Sequence, residues 1–187
     1  LNGAGFSSGV GGQGFLFDWV DDNVRIPFSS NLISQTFSVE AWVKPLSQVN
    51  GPTGQELIVG QGGGSYFLVV RPGTTGLKVG WGIQGTNGTY YTHISSAEIP
   101  INSFSHVAGT WDGTALKIYI NGVLDSQLAP GVLPTLSPTY PFDIGGFATM
   151  PPSPAGPGFS AQQFFNGVID DVKIYNRTLS APEIGAL

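Results

Sequence analysis

Three carboxylates, Asp18, Asp21 and Asp22, stand within a span of five residues, and a fourth, Asp170, belongs to the otherwise apolar row Val168, Asp170, Val172 and Ile174. Carboxylates packed so closely repel one another unless water solvates them or a cation bridges them. One buried without a partner costs several kcal/mol or takes up a proton. Calcium is a partner of the right chemistry, because it accepts carboxylate and carbonyl oxygens in loose geometry. Asp170 has two other outlets: a bulge that turns it to solvent, or pairing with Arg25 or Lys173. Beside the acidic knot stands Trp19, which can stack on a sugar ring or cover a sheet edge. Further along, strand alternation predicts that Arg71, Lys78, Gln84, Tyr91 and His93 converge on one open sheet surface, where they would offer polar contacts to a ligand. A solvated outer face explains Tyr91 and His93 as well.

Catalytic arrangements find less support. Hydrolysis of a glycosidic bond needs two carboxylates about 5–9.5 Å apart. The four glutamates are Glu40, Glu56, Glu98 and Glu183, and the last is claimed by helix capping. A Ser-His-Asp device would have to recruit His93 or His106, yet no G-x-S-x-G elbow is present. With no cysteine, a disulfide, a thiolate metal site and a cysteine nucleophile are all excluded.

These groups must be held by strands. Residues 105–111 and 116–120 are strand-like runs joined through Asp112-Gly113-Thr114, and Asn121-Gly122 turns the chain back into Val123 and Leu124. Such dipeptides supply the positive φ angles of tight hairpins. Leu116, Ile118 and Ile120 alternate with Lys117, Tyr119 and Asn121, which makes one apolar face that needs a second layer. Phe37, Val39, Ala41 and Val43 alternate with Ser38, Glu40, Trp42 and Lys44 in the same way. Short strands are predicted at 57–59, 66–71, 77–83, 90–95 and 142–147, and a last one at 167–175. In 77–83, Lys78, Gly80, Gly82 and Gln84 share a face whose glycines leave room for another backbone or a ligand. Trp42, Trp81 and Trp111 read as core. Segment 1–14 is a loose entry with a short edge strand, 149–163 is a Pro-rich rim loop, and Ser180-Ala-Pro-Glu183 fits a capping box that closes the chain.

The chain of 187 residues is read as one all-β domain, with 28 Gly, 14 Pro and only 10% charged residues. Its 41% hydrophobic content, with 12 Phe, 6 Tyr and 4 Trp, fills a core and argues against disorder. Seven basic residues against 12 acidic give a net charge of −5 without a basic cluster, so nucleic acid is not an expected partner. No apolar run is long enough for a spanning helix, so no membrane insertion is expected. Starting at Leu1, the chain reads as a mature protein or a module of a larger one, with the module favoured. The tripeptides at Asn87 and Asn176 match the glycosylation pattern but arise often by chance.

Four ordered stretches carry a resemblance: GFLFDWVDDNVRIP at 14–27, FSVEAWVKP at 37–45, SHVAGTWDGTALKIYINGVLDSQ at 105–127 and FNGVIDDVKIYNRTLSAPEI at 165–184. Together they are similar to laminin-G-like domains of the concanavalin A-like lectin/glucanase superfamily, to which pentraxins are related. The resemblance implies a two-sheet antiparallel jelly roll with a short C-terminal helical turn. It also implies a structural calcium where the last strand meets the first, carried onto Asp170 and onto Asp18, Asp21 and Asp22. Domains of this type usually carry Gly at the position of Trp19, and the acidic strand motif of the family's retaining glucanases has no counterpart among the four glutamates. The expected role is noncatalytic recognition of a polysaccharide or oligosaccharide by Trp19, Arg71, Gln84, Tyr91 and His93, in a secreted or surface protein that can hold a catalytic domain in the same parent chain. A protein-binding or adhesion module, or a spacer, is the alternative.

Overall fold

In a computed structural model, which describes residues 1–32, 34–49, 54–62, 65–136, 139–147 and 163–187, the strand-forming runs pair as follows. The strands are β1 (Gly5–Ser8), β2 (Gln13–Asp18), β3 (Val24–Ile26), β4 (Phe37–Pro45), β5 (Glu56–Gln61), β6 (Tyr66–Pro72) and β7 (Leu77–Gln84). They continue with β8 (Tyr90–Ile99), β9 (Ser105–Trp111), β10 (Leu116–Ile120), β11 (Val123–Leu128), β12 (Phe142–Ile144) and β13 (Asn166–Tyr175), before one helix, α1 (Ala181–Gly185). All pairings are antiparallel, in a seven-stranded sheet ordered β1-β2-β13-β4-β9-β10-β11 and a six-stranded sheet ordered β3-β12-β5-β6-β7-β8. The all-β sandwich expected from the alternation is the observed architecture.

The period of two sorts the residues. Phe37, Val39, Ala41 and Val43 of β4 meet Tyr66, Leu68, Val70, Val79 and Trp81 of the other sheet in one core, and none of the nine is more than 1% exposed. Trp81 lies directly over Gly109, where a Cβ would collide with its ring. The turns work as their residues dictate. Asn121 and Gly122 take φ 49 and 79 between β10 and β11, and the Asp112 carboxylate accepts from the Thr114 and Ala115 N–H groups at 3.0 and 2.8 Å. Ser180 and Glu183 form the reciprocal capping box of α1.

The short edge strand expected in the entry segment is present as β1, and it pairs with β2 in a hairpin. Several expectations need correction. The strand expected at 142–147 stops at Ile144, and β8 runs on to Ile99 through a bulge. Ser95 Oγ fills that gap by accepting from the Val79 N–H at 2.9 Å, and the Ser96 and Ala97 N–H groups reach Asp125 of β11 at 2.7 and 2.8 Å, tying the edges of the two sheets together. The glycine face of β7 is not vacant. Phe67 lies over Gly82 and Val69 over Gly80, and with Leu57 and Phe147 they make a second small apolar cluster outside the six-stranded sheet. Trp42 points outward on the seven-stranded sheet rather than into the core, where Trp81 and Trp111 are buried. The expected rim loop at 149–163 lies outside the described residues except for Gln163.

Candidate functional site

The connection from β2 to β3 is fixed by its own hydrogen bonds. The Asp18 N–H donates to Asp22 Oδ2 at 2.9 Å, the Val20 N–H to Asp18 Oδ1 at 2.9 Å, and the Trp19 N–H to the Phe165 carbonyl at 3.2 Å. Trp19 is thereby held at φ 71, which costs a residue with a Cβ about 1–2 kcal/mol, and its side chain is left 40% exposed. One oxygen from each of Asp18, Asp21 and Asp22 lies within 4.8 Å of the other two. Calcium holds oxygens at about 2.3–2.6 Å, so ligands on opposite sides of one ion stand up to about 5 Å apart. The three carboxylates fit a single divalent cation by that measure.

Asp22 is almost fully buried, and burial raises its pKa. The Asp18 N–H pulls the other way, but the charges of Asp18 and Asp21 add to the rise. A cation would remove that repulsion. Gly3, at φ 76, closes one side, where a Cβ would collide with Asp22 Oδ1.

Asp170 stands apart from this knot. Asn166 pairs with Asp18 across β13 and β2, which places Asp170 four residues further along, roughly 13 Å away. A register shift after Asp170 and a φ of 47 at Asp171 mark a bulge. Its carboxylate accepts from the Val10 N–H at 2.8 Å and from the Asp171 N–H at 2.9 Å, so it ties down the β1–β2 turn. Arg25 pairs with Asp143 at 2.8 Å and Lys173 with Glu40 at 3.0 Å. Of the outlets open to Asp170, the bulge is the one taken.

The expected convergence on one open surface does not occur. Arg71 and Lys78 are cross-strand partners on the outer face of the six-stranded sheet, and Gln84 shares it. Tyr91 and His93 pair with Ile83 and Trp81, both fully buried, and therefore face the other sheet. Arg71 Nη1 donates to Gln55 Oε1 at 3.0 Å, and Asn87 Nδ2 donates to the Tyr91 hydroxyl at 2.9 Å. Burial lowers the His93 pKa, an effect the Asp125 charge partly offsets.

A second polar group was not anticipated. On the outer face of the seven-stranded sheet, Glu40 is 1% exposed, and its Oε1 accepts from Lys173 Nζ and the Tyr175 hydroxyl, both at 3.0 Å. Its Oε2 lies 3.5 Å from His106 Nε2. Burial raises the Glu40 pKa, but the contacts from His106, Lys173 and Tyr175 outweigh it and leave the pKa lowered. Glu40 alternates with core residues and reads as solvent-facing. A signal was available in the length of β4, whose outer positions hold Glu and Trp rather than small polar residues.

Comparison with known proteins places this geometry. A family model described as the concanavalin A-like lectin/glucanases superfamily, of laminin G type, matches residues 18–185. Among solved structures, domain 4 of an extracellular arabinanase from Geobacillus stearothermophilus, in complex with arabinotriose, aligns with 100% of this chain and 81% of its own (TM-score 0.71, 20% identity). The CBM40 of a Ruminococcus gnavus sialidase, bound to α2,3-sialyllactose, aligns over 88% of this chain and 95% of its own (0.64, 19%). The binding domain of Paraclostridial Mosquitocidal Protein 1 aligns over 98% of this chain, which spans only 45% of that domain (0.71, 15%). At these identities the likeness is one of fold. No curated protein matches the chain in sequence.

Proposed function

Since the chain belongs to the laminin-G-like family of the concanavalin A-like lectin/glucanase superfamily, we propose that it is a noncatalytic carbohydrate-binding module within a larger secreted or cell-surface protein. The observation that carries this reading is Trp19. A bulky side chain is kept at positive φ, pinned by three hydrogen bonds, partly exposed and next to an acidic knot. Backbone strain held in place by its surroundings is a mark of function. An exposed indole offers a flat apolar surface to the C–H face of a sugar ring. Calcium held by Asp18, Asp21 and Asp22 would fix the turn and present the indole; its part is structural. Asp170 holds the β1–β2 turn at the other end of β2. Arg71 and Gln84 supply polar contacts on the flank of the six-stranded sheet, while Tyr91 and His93 shape its edge from inside. Two structural relatives carry arabinotriose and sialyllactose, which supports a glycan as the ligand class. In the parent protein, the module would hold a catalytic domain near its polysaccharide.

A protein ligand is the second reading, favoured by Val20, 66% exposed beside Trp19. Affinity electrophoresis through gels containing arabinan, xylan, galactan or glucomannan, with calcium present, separates the two. At least one polysaccharide should retard the wild type and fail to retard Trp19→Ala. If none retards it, or both proteins are retarded equally, the carbohydrate reading is wrong. Incubation with the same polysaccharides should release no new reducing ends.

A further inference from the structure

The outer face of the seven-stranded sheet carries a pocket of ≈230 Å³ well away from Trp19. Its floor is Trp42 and His106, cross-strand partners of β4 and β9 whose rings lie 5.4 Å apart at 54°. One wall is the Asn121–Gly122 turn, and the other is Ile184 and Gly185 of α1. From the pairing of Asp18 with Asn166 and of Trp42 with Asp170, Trp42 lies four residues along and two strands across from the acidic knot, roughly 16 Å away.

Each part of the pocket is held in place. The His106 N–H donates to Asn121 Oδ1 at 2.9 Å and the Asn121 N–H to the His106 carbonyl at 2.8 Å, so the amide oxygen of Asn121 is occupied and its NH2 group is left to donate. His106 is 3% exposed, and its buried Nε2 is turned towards Glu40 Oε2, 3.5 Å away. Glu40 is in turn held by Lys173 and Tyr175. At the opposite wall the turn and the helix touch, since a Cβ on Gly122 would stand 3.0 Å from Gly185 Cα. An indole, a buried imidazole turned towards Glu40 and an exposed amide therefore meet in one concavity. α1 is seated beside the pocket by the cluster of Ala108, Tyr119, Leu179 and Ile184.

We propose that this pocket binds the terminal ring of a neutral glycan, its apolar face on Trp42 and a hydroxyl on Asn121 Nδ2. The proposal rests on the carbohydrate reading above and adds a second contact for the same ligand class. A floor with two walls and a volume of this size suits one ring at a chain end. No Lys or Arg is among the described residues that line the pocket, so it offers no cation to an acidic sugar. Planar polar groups around an aromatic face are how protein sites read the alternation of C–H and O–H on a sugar.

The test uses the full chain labelled with 5-fluorotryptophan, whose four 19F resonances are assigned by Trp→Phe variants made one at a time. It is titrated with methyl glycosides of arabinofuranose, galactopyranose, glucopyranose and xylopyranose. The Trp42 resonance should move saturably with at least one of them. Asn121→Asp, which keeps an oxygen to accept from the His106 N–H and tolerates φ 49 but loses the donating NH2, should weaken that response about tenfold, as the loss of a hydrogen bond to the ligand implies. Movement of Trp19 alone would overturn this proposal and leave the proposed function standing. Silence at all four resonances would also overturn it, and the polysaccharide gels then decide the function separately. A Trp42 response of equal affinity in Asn121→Asp would exclude the amide contact and with it the proposal.

Discussion

Trp19 can be replaced by alanine and by glycine to separate what the ring does from what the backbone endures. Both variants lose the same indole, so the lost packing cancels when they are compared, and only a Cβ distinguishes them. At an ordinary position glycine is the less stable of the two by about 0.5–1 kcal/mol, because its unfolded chain is freer. At positive φ the Cβ itself costs about 1–2 kcal/mol. Trp19 sits at φ 71, pinned by the bonds from Asp18, Trp19 and Val20, so the turn cannot relax to spare an alanine. The order should therefore invert, with Trp19→Gly more stable than Trp19→Ala by about 0.5–1 kcal/mol. At a urea m-value of about 2 kcal/mol per M, the midpoints followed by circular dichroism should differ by about 0.3–0.5 M. Both variants should run through polysaccharide gels without retardation. An alanine variant as stable as the glycine one would refute the strain argument, and glycan retention by either would remove the indole from the site.

Calcium at a hundredfold excess over its Kd should stabilise the protein by about 2.7 kcal/mol, which raises Tm by about 5–10 °C; the gain should vanish with a chelator and in Asp22→Asn but persist in Asp170→Asn. Differential scanning fluorimetry reads all three, and equal melting in calcium and chelator would count against the knot as a cation site. Burial raises the pKa of Glu56 from 4.5 to about 7, opposed only by the Asn166 N–H, so folding grows less favourable as pH rises through that range and the full cost, about 3 kcal/mol, applies above pH 7. Glu56→Gln should accordingly melt higher than wild type at pH 8 and nearly level with it at pH 4.5, whereas a gap independent of pH would contradict this. Glu98 is the opposite case: hydrogen bonds from the Thr74, Thr75 and Gly76 N–H groups lower its pKa to about 2. Its contribution is complete above pH 4.5 and disappears as pH falls through 2. Glu98→Gln should be destabilised at neutral pH, with the difference closing towards pH 2 in acid titrations.

Local chemistry made the turns and the central strands legible. Asp112-Gly113, Asn121-Gly122 and the Ser180–Glu183 box each act within a few residues, and each appears where its dipeptide or spacing places it. Asp18, Asp21 and Asp22 are near neighbours in the chain, so their meeting in one turn needed no tertiary information. What alternation cannot give is the phase of a strand whose two faces look alike. In β8 both parities carry Tyr, and the pairing of His93 with Trp81 decides which parity turns inward. The space above Gly80 and Gly82 was filled by Val69 and Phe67 of the neighbouring strand, a contact that alternation within β7 does not encode. Glu40 and His106 likewise meet only because β4 and β9 lie side by side and the end of the chain folds over them.

That covering explains where a ligand can dock. A sandwich with two bare exteriors would offer a broad sheet face to a polysaccharide, and neither exterior here is bare. On one sheet the outward side chains of Leu57, Phe67 and Val69 are buried in a cluster with Phe147, while α1 with Leu179 and Ile184 sits on the other. Recognition is thereby displaced to places where covering and sheet leave a gap or a turn projects. The Trp19 turn is a projection, exposed and rigid, suited to a ring within a chain. The Trp42 pocket is a gap, walled by the very helix that closes the sheet, suited to a chain end. With Trp42 roughly 16 Å along the sheet from the acidic knot beside Trp19, one oligosaccharide of about four units has the reach to engage both. Binding should then tighten with oligosaccharide length up to that size and level off beyond it, whereas affinity already maximal for a disaccharide would mean that the two sites act independently.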